Sequence, residues 1–230
     1  MDADAVIERL KQAVEPGTRE SMAHLGITTD HALGVRVPKV RELARELGTD
    51  HDLALALWAS GVHEARLLAT MVADPGRVDA DLMAAWAAAF DSWDLVDQAC
   101  ANLFWRAEPA WAKAAAWAER DEALVKRAGF VLMASLALHD ERAADDAFEP
   151  FWALIDAAAD DSRERVRKAV GWALRQIGKR SPDLNAAAIA LAERLQDPAA
   201  RAHEARKLGR EAQRELESDL VQKRLQGEGS

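Results

Sequence analysis

The sequence contains no tyrosine and one cysteine, Cys100, among its 230 residues. A single cysteine excludes an internal disulfide, which agrees with a reducing compartment. No stretch approaches the roughly 18 consecutive apolar residues that a membrane helix requires. The start, MDADAVIERLKQAV, has neither the basic region nor the apolar run of a signal peptide. We therefore expect a cytoplasmic protein with no membrane contact and a sizeable core, since 50% of its residues are hydrophobic.

Signals for β-strands, nucleotide loops and metal sites are also missing. No Asn-Gly or Asp-Gly hairpin turn occurs, and Val and Ile stand at helical spacings. The glycines of LGVRVPKV have the wrong spacing for a phosphate-binding loop. The histidines are dispersed without metal-ligand spacing, and Cys100 has no histidine near it on its helix. We expect no metal and no nucleotide cofactor.

Positive charge is in deficit overall but concentrated locally. The net charge of -9 argues, taken alone, against nucleic-acid binding, because phosphate contacts depend on Lys and Arg. Acidic residues, however, dominate 140–161, and basic residues dominate 162–180. If helices stack side by side, an acidic protein of this kind can still carry one basic surface.

Helical periodicity fills most of the chain, and prolines stand where first helical turns would begin, as in RVPKV and RSPDL. Ala128 and Ala169 occupy similar places in second helices about 40 residues apart, the period of two-helix HEAT-type repeats. We predict an all-α solenoid in which second helices line a concave surface, the alternative being an irregular helical bundle. The predicted single domain covers 1–216, and 217–230 is predicted to be a polar, frayed tail. The helix pairs are predicted at 50–60 with 63–73, 81–90 with 92–104, 109–119 with 123–139, 147–159 with 162–179, and 182–195 with 198–216.

The helix predicted at 162–179 carries a basic face. At spacings of three and four it presents Arg165, Lys168, Trp172, Arg175 and Lys179. Cations interleaved with an indole are typical of a surface that grips a nucleic-acid backbone and stacks against it. The alternative is a solvated helix face with one amphipathic tryptophan.

Two other predicted helices carry candidate site residues within largely apolar sequence. In FDSWDLVDQACANLF, Trp93 and Asp97 lie four residues apart and share one helix face. They form either an aromatic platform beside an anion or the edge of the core beside a solvated carboxylate. Arg127, in LVKRAGF, lies at the polar edge of an apolar helix and serves either an inter-helix ion pair or a ligand.

The motifs SWDLVDQ, LVKRAGFVL and VRKAVGWALRQIGKRSPD, in that order, together with LGVRVPKVRELA, resemble the HEAT-like repeat DNA alkylation repair glycosylases, the AlkD-like group. The resemblance covers roughly residues 20–185 and implies a right-handed α-α superhelix with a concave DNA-binding face. It implies a lesion site made by Trp93, Asp97, Arg127 and Trp172. It also implies DNA-backbone contacts from Arg36, Lys39, Arg165, Lys168, Arg175, Lys179 and Arg180.

The resemblance further implies a monofunctional DNA glycosylase of base excision repair. Its substrate would be a cationic purine alkylated at N3 or N7 in double-stranded DNA, hydrolysed at the N-glycosidic bond without base flipping. A carboxylate such as Asp97 suits the developing positive charge on the sugar, and tryptophan faces attract cations. The alternative is a non-catalytic helical-repeat module that binds damaged or branched DNA or a protein partner. We expect a monomer in either case.

Overall fold

The computed structural model describes residues 1–227, and over that range its regular elements are all helical. The all-α prediction is confirmed, and most predicted helices lie within a few residues of observed ones. Short 3-10 turns lie at Pro75–Arg77, Phe104–Arg106 and Asp145–Phe148. The α-helices are α1 Ala3–Gln12, α2 Thr18–His24, α3 Val37–Leu47, α4 His51–Ala59, α5 His63–Val72, α6 Ala80–Ala88, α7 Trp93–Asn102, α8 Ala110–Ala118, α9 Ala123–His139, α10 Glu149–Ala158, α11 Glu164–Gly178, α12 Pro182–Arg194, α13 His203–Leu216 and α14 Asp219–Leu225.

Local chemistry sets where these helices begin. The side chains of Asp50 and Asp79 each accept a hydrogen bond from the backbone N–H three residues later, at 3.0 and 2.8 Å, and so cap α4 and α6. Ser181 caps α12 in the same way, and Pro182 then occupies its first turn.

The C-terminal region differs from its prediction in two places. The helix predicted from residue 198 begins at His203, because Asp197 Oδ1 accepts from the backbone N–H of Ala199 and holds a turn there. The predicted polar tail contains α14, in which Val221 is buried and Gln222 donates to the carbonyl of Leu216 at 2.7 Å. The last part of the tail, 228–230, lies outside the described residues.

The chain divides into two compact units, Met1–Pro109 and Ala110–Ser230. In the first unit, α5 packs against α3, α4 and α7. Its core contains Trp58 and Trp86, whose rings stack in parallel with centroids 4.0 Å apart. Packing against α5 therefore fixes the position of α7, the helix of Trp93 and Asp97.

In the second unit, α9 packs against α8 and α11, and α11 packs against α12 and α13. The close approach of α8 and α9 requires Gly129, since a Cβ there would stand 2.4 Å from the backbone nitrogen of Ala118. The second helices of successive pairs thus lie side by side within this unit, as the repeat prediction requires. Among the described residues of both units, no helix is both long and apolar enough to cross a membrane.

Candidate nucleic-acid interface

In the first unit, the face of α7 presents Trp93 and Asp97 one helical turn apart, both half-buried. Trp93 Nε1 donates to the carbonyl of Leu25 at 3.2 Å. Leu25 itself is 59% exposed, at the end of α2. The hydrogen bond fixes the edge of the indole, so that its orientation is set before any ligand arrives.

The first turn of α7 is anchored by a buried histidine. His63 Nε2 lies 2.9 Å from Asp94 Oδ2, and the hydroxyl of Ser92 donates to Asp94 Oδ1 at 2.5 Å. His63 is 3% exposed, and its backbone N–H donates to the carbonyl of His31 at 3.0 Å. Of the two aspartates in SWDLVD, Asp94 is therefore the one whose carboxylate is bonded to the buried His63.

Charge reinforces this anchor. Burial lowers the pKa of His63, but the hydrogen bond and charge of Asp94, with the charges of Glu64 and Asp91, outweigh it and raise the pKa above 6.5. Burial likewise raises the pKa of Asp94, yet its bonds to His63 and Ser92 lower it below 3.8. The two groups thus form an ion pair at mildly acidic pH.

A buried carboxylate holds the loop that leads to the predicted contacts Arg36 and Lys39. Glu64 is 0% exposed and accepts hydrogen bonds from the backbone N–H groups of Leu33, Gly34 and Val35, at 2.8, 2.7 and 3.0 Å. Arg36 and Lys39 follow directly, and both are exposed. Each is paired with a carboxylate: Arg36 with Glu15 at 3.0 Å and Lys39 with Glu42 at 2.9 Å.

In the second unit, Arg127 links two helices. It is only 7% exposed, and its Nη1 donates to the carbonyl of Arg165 at 2.5 Å. The guanidinium is therefore held between α9 and the first turn of α11. Its planar fork is preoriented as a donor group.

The predicted basic face of α11 is present but carries its own counter-ions. Trp172 is half-buried on this face. Lys168 pairs with Glu164 at 2.8 Å, and Arg175 Nε lies 3.0 Å from Glu215 of α13. Lys179 pairs with the same Glu215. Acidic side chains in the immediate neighbourhood thus accompany most of the cations that the sequence singled out.

Arg180, unlike the cations of α11 that pair with glutamates, contacts backbone carbonyls and an aromatic ring. It donates to the carbonyls of Ala137 at 3.3 Å and Ala143 at 2.5 Å, and its guanidinium lies 5.0 Å from the ring centre of Phe148. These contacts fasten the end of α9 to the start of α12, so Arg180 has a structural role. Its predicted contact with DNA stays a prediction.

The sequence reasoning missed three exposed cations on α13. Lys207, Arg210 and Arg214 lie three and four residues apart on one face, and among the described residues none of them forms a salt bridge. The same period of three and four that pointed to α11 would have found them. Among the described residues, no group of three or more His, Cys, Asp or Glu side chains is placed to hold a metal ion.

Comparisons with known proteins bear on the fold and the family of this chain. A solved structure described as "A new family of proteins related to the HEAT-like repeat DNA glycosylases with affinity for branched DNA structures" matches with a TM-score of 0.78. The match has 18% identity and covers 92% of this chain and 93% of that chain, and it confirms the HEAT-like repeat fold. No curated protein matches significantly. The family model for the DNA alkylation repair enzyme matches residues 6–216, so the chain belongs to that family.

Proposed function

We propose that this chain is a DNA glycosylase that removes cationic N3- or N7-alkylated purines from double-stranded DNA. The observation that carries the proposal is the face of α7, where a tryptophan with a fixed edge and a half-buried carboxylate lie one turn apart. An indole face attracts a cation, and a carboxylate stabilises the positive charge that develops on the sugar. The family to which the chain belongs supports the same chemistry.

In this proposal, Asp97 carries the chemical step. Alkylation at N3 or N7 gives the purine a positive charge, so the base leaves as a neutral molecule without prior protonation. The bond between the sugar C1′ and the purine nitrogen breaks with both electrons going to the base, and the sugar becomes an oxocarbenium ion. Asp97 stabilises that ion and orients a water, whose oxygen bonds to C1′ while its proton leaves to solvent or to the carboxylate. No cofactor is needed for this balance.

The other residues bind and orient the substrate. Trp93 and Trp172 supply aromatic faces to the cationic nucleotide. Arg127, whose guanidinium is held by the carbonyl of Arg165, contacts a phosphate near the lesion. Cations on α3 and α11 contact the backbone, led by Arg36, Lys39, Arg165, Lys168, Arg175 and Lys179. The base stays stacked in the duplex, the chain acts as a monomer, and we retain the cytoplasmic location predicted above.

A second candidate is a non-catalytic protein that binds branched DNA. One observation favours it: the solved structure with the similar fold is described by affinity for branched DNA. Such a protein would need the backbone contacts but not the carboxylate of Asp97.

Release of methylated purine from alkylated duplex, measured beside binding of the same duplex, distinguishes the two candidates. The glycosylase should release free base well above the spontaneous loss measured without protein, and leave abasic sites that alkali cleaves. Four-way junction DNA serves as the competitor in the binding arm. Tight binding with only spontaneous base loss would favour the second candidate.

A further inference from the structure

Two cations of α11 converge on a single carboxylate of α13. Arg175 Nε lies 3.0 Å from Glu215 Oε2, and Lys179 pairs with the other oxygen of the same side chain. The side chains of Arg175 and Lys179 are 22% and 21% exposed, so both are half-withdrawn from water. They follow Trp172 by three and seven residues and so share its helix face. A guanidinium and an ammonium that meet at one point form a site for an anion.

Glu215 occupies this site imperfectly. Arg175 Nε is buried and, among the described residues, has no hydrogen-bond partner, because its N–H is not directed at the nearby carboxylate oxygen. The contact is therefore an ion pair without an aligned hydrogen bond, in which a buried donor is left unsatisfied. A tetrahedral anion presents oxygens in more directions than a carboxylate and can satisfy that donor.

On the side of Arg175, the site opens into a surface groove. Arg175 lines a groove of about 560 Å³ between α11 and α13, in which Lys168 and Lys207 lie beside Glu164, Glu204 and Glu211. Lys179 lines a separate pocket next to Ser181 and Arg224. The guanidinium of Arg175 lies over Gly171, where a Cβ would stand 3.1 Å from Nη1. The missing side chain at Gly171 thus leaves room for Arg175 to reach into the groove.

We propose that Arg175 and Lys179 form a binding site for one backbone phosphate of DNA, and that the carboxylate of Glu215 fills this site until DNA displaces it. The identity of the ligand rests on the proposed DNA-binding function. Glu215 then acts as an internal competitor: each binding event must break its two ion pairs before the phosphate can form its own. The device lowers affinity for all duplex, damaged or not, because a phosphate contact carries no lesion information.

The decisive variant is Glu215→Gln, with Glu211→Gln as its matched control. Both remove one negative charge from α13, but among the described residues Glu211 forms no salt bridge. Fluorescence anisotropy with undamaged duplex at fixed salt should show Glu215→Gln binding about 3- to 10-fold more tightly than wild type, the size expected for release from two partly exposed ion pairs. Glu211→Gln should change affinity by less than about 2-fold. Equal effects of the two variants, or weaker binding by Glu215→Gln, would overturn the proposal.

A double-mutant cycle removes the remaining ambiguity. In a chain that already carries Arg175→Gln and Lys179→Gln, the substitution Glu215→Gln should no longer raise affinity, since no cations remain to be released. If Glu215→Gln unfolds in a thermal melt, Glu215→Asp replaces it. The aspartate side chain is one methylene shorter and should hold the two cations less well. The Glu215→Asp variant should therefore still bind duplex more tightly than wild type.

These measurements separate the inference from the proposed function. They use undamaged DNA and read affinity, whereas the glycosylase proposal is read by base release. Raised affinity in a chain that releases no base would support the anion site and refute the glycosylase. Unchanged affinity in a chain that does release base would refute only the anion site. Absence of duplex binding in every variant would refute both.

Discussion

His63 Nε2 lies 2.9 Å from Asp94 Oδ2, and this buried pair joins α5 to the first turn of α7. Asp94 directly follows Trp93 in the first turn of α7, so the pair fixes the backbone position from which the indole projects. The side chain of Asp94 is 14% exposed and that of His63 is 2% exposed, so water has little access to the pair. Removing either partner would leave the other as an uncompensated polar group in the interior.

The His63–Asp94 pair should contribute most to folding stability at mildly acidic pH. The pKa of His63 is raised, so its contribution is complete below pH 6.5 and is lost as the pH rises through the folded-state value. The pKa of Asp94 is lowered, so its contribution is complete above pH 3.8 and is lost as the pH falls through its folded-state value. Urea unfolding of wild type between pH 3 and 9 should therefore show the largest contribution of this pair at roughly pH 4 to 6.5.

Asp94→Asn is the control for that pH profile. The asparagine keeps the shape of the side chain but removes the charge that raises the pKa of His63. The variant should be less stable, and the loss of stability above pH 6.5 should become shallower. A wild-type profile that the substitution leaves unaltered in shape would contradict the prediction.

Glu64→Gln should destabilise the first unit. The Glu64 carboxylate accepts three backbone hydrogen bonds in a fully buried site, and an amide offers one oxygen and turns two N–H donors toward N–H groups. We expect a loss of about 2–4 kcal/mol in the free energy of unfolding, measured in urea. Glu20→Gln, an exposed change on α2, should stay within about 0.5 kcal/mol of wild type. Equal stabilities of the two variants would show that Glu64 does not hold the loop before Arg36.

The helices could be predicted from sequence because their signals are local. A cap such as Asp50 and a proline such as Pro182 act within one turn, and the apolar period of three and four marks the buried face of α11. α14 was missed because its few apolar residues read as a polar tail, although Val221 is buried in the folded chain. Burial of one side chain in the folded chain leaves no local trace in the sequence.

For the site, the sequence predicted the residues of each motif but not the partners that hold them in place. The motif containing Trp93 and Asp97 could be found, since its residues lie on one helix. The partners that hold it come from elsewhere in the sequence: the carbonyl of Leu25 and the side chain of His63. The same holds for Glu215, which is far along the chain from Lys179 yet pairs with it. Contacts at long sequence separation need the fold to be known first.

Trp93→Phe should separate the aromatic face of this residue from its hydrogen bond. Phenylalanine retains a ring but cannot donate to the carbonyl of Leu25, and its face attracts cations less strongly than an indole. We expect a stability loss of about 0.5–1.5 kcal/mol and base release slower by about 3- to 10-fold. Trp111→Phe is the control, because Trp111 Nε1 also donates a hydrogen bond, to Asp140 at 3.2 Å, but lies outside the proposed site. It should lose similar stability with base release unchanged.

Asp97→Asn should depress base release and leave DNA affinity nearly intact. The change is close to isosteric, so packing on α7 is retained, but the charge that stabilises the oxocarbenium ion is gone. Single-turnover release from methylated duplex should fall by about 100-fold or more, while the dissociation constant changes by less than about 3-fold. Asp81→Asn, which removes an exposed carboxylate from α6, should stay near the wild-type rate. Undiminished release by Asp97→Asn would make Asp97 a solvated neighbour of Trp93.

The basic face of α11 should govern the salt dependence of DNA binding. Lys168 is exposed, and its salt-bridge partner among the described residues is Glu164, one turn away, so a phosphate can replace that partner readily. Each phosphate neutralised contributes a log-log slope of about -0.9, so replacing Lys168 and Lys179 with Gln should flatten the slope by about two units. Damaged and undamaged duplex should weaken alike, because these contacts position the protein without reading the lesion.

A pair of lysines outside α11 tests whether that slope belongs to the helix or to total charge. Lys11→Gln with Lys223→Gln removes the same two charges from α1 and α14, and both lysines are exposed. This control should shift affinity slightly through the overall field and leave the slope near its wild-type value. If the two double variants flatten the slope equally, net charge governs binding. If neither double variant flattens the slope, the cations around Trp172 form a solvated helix face, and Trp172 does not contact DNA.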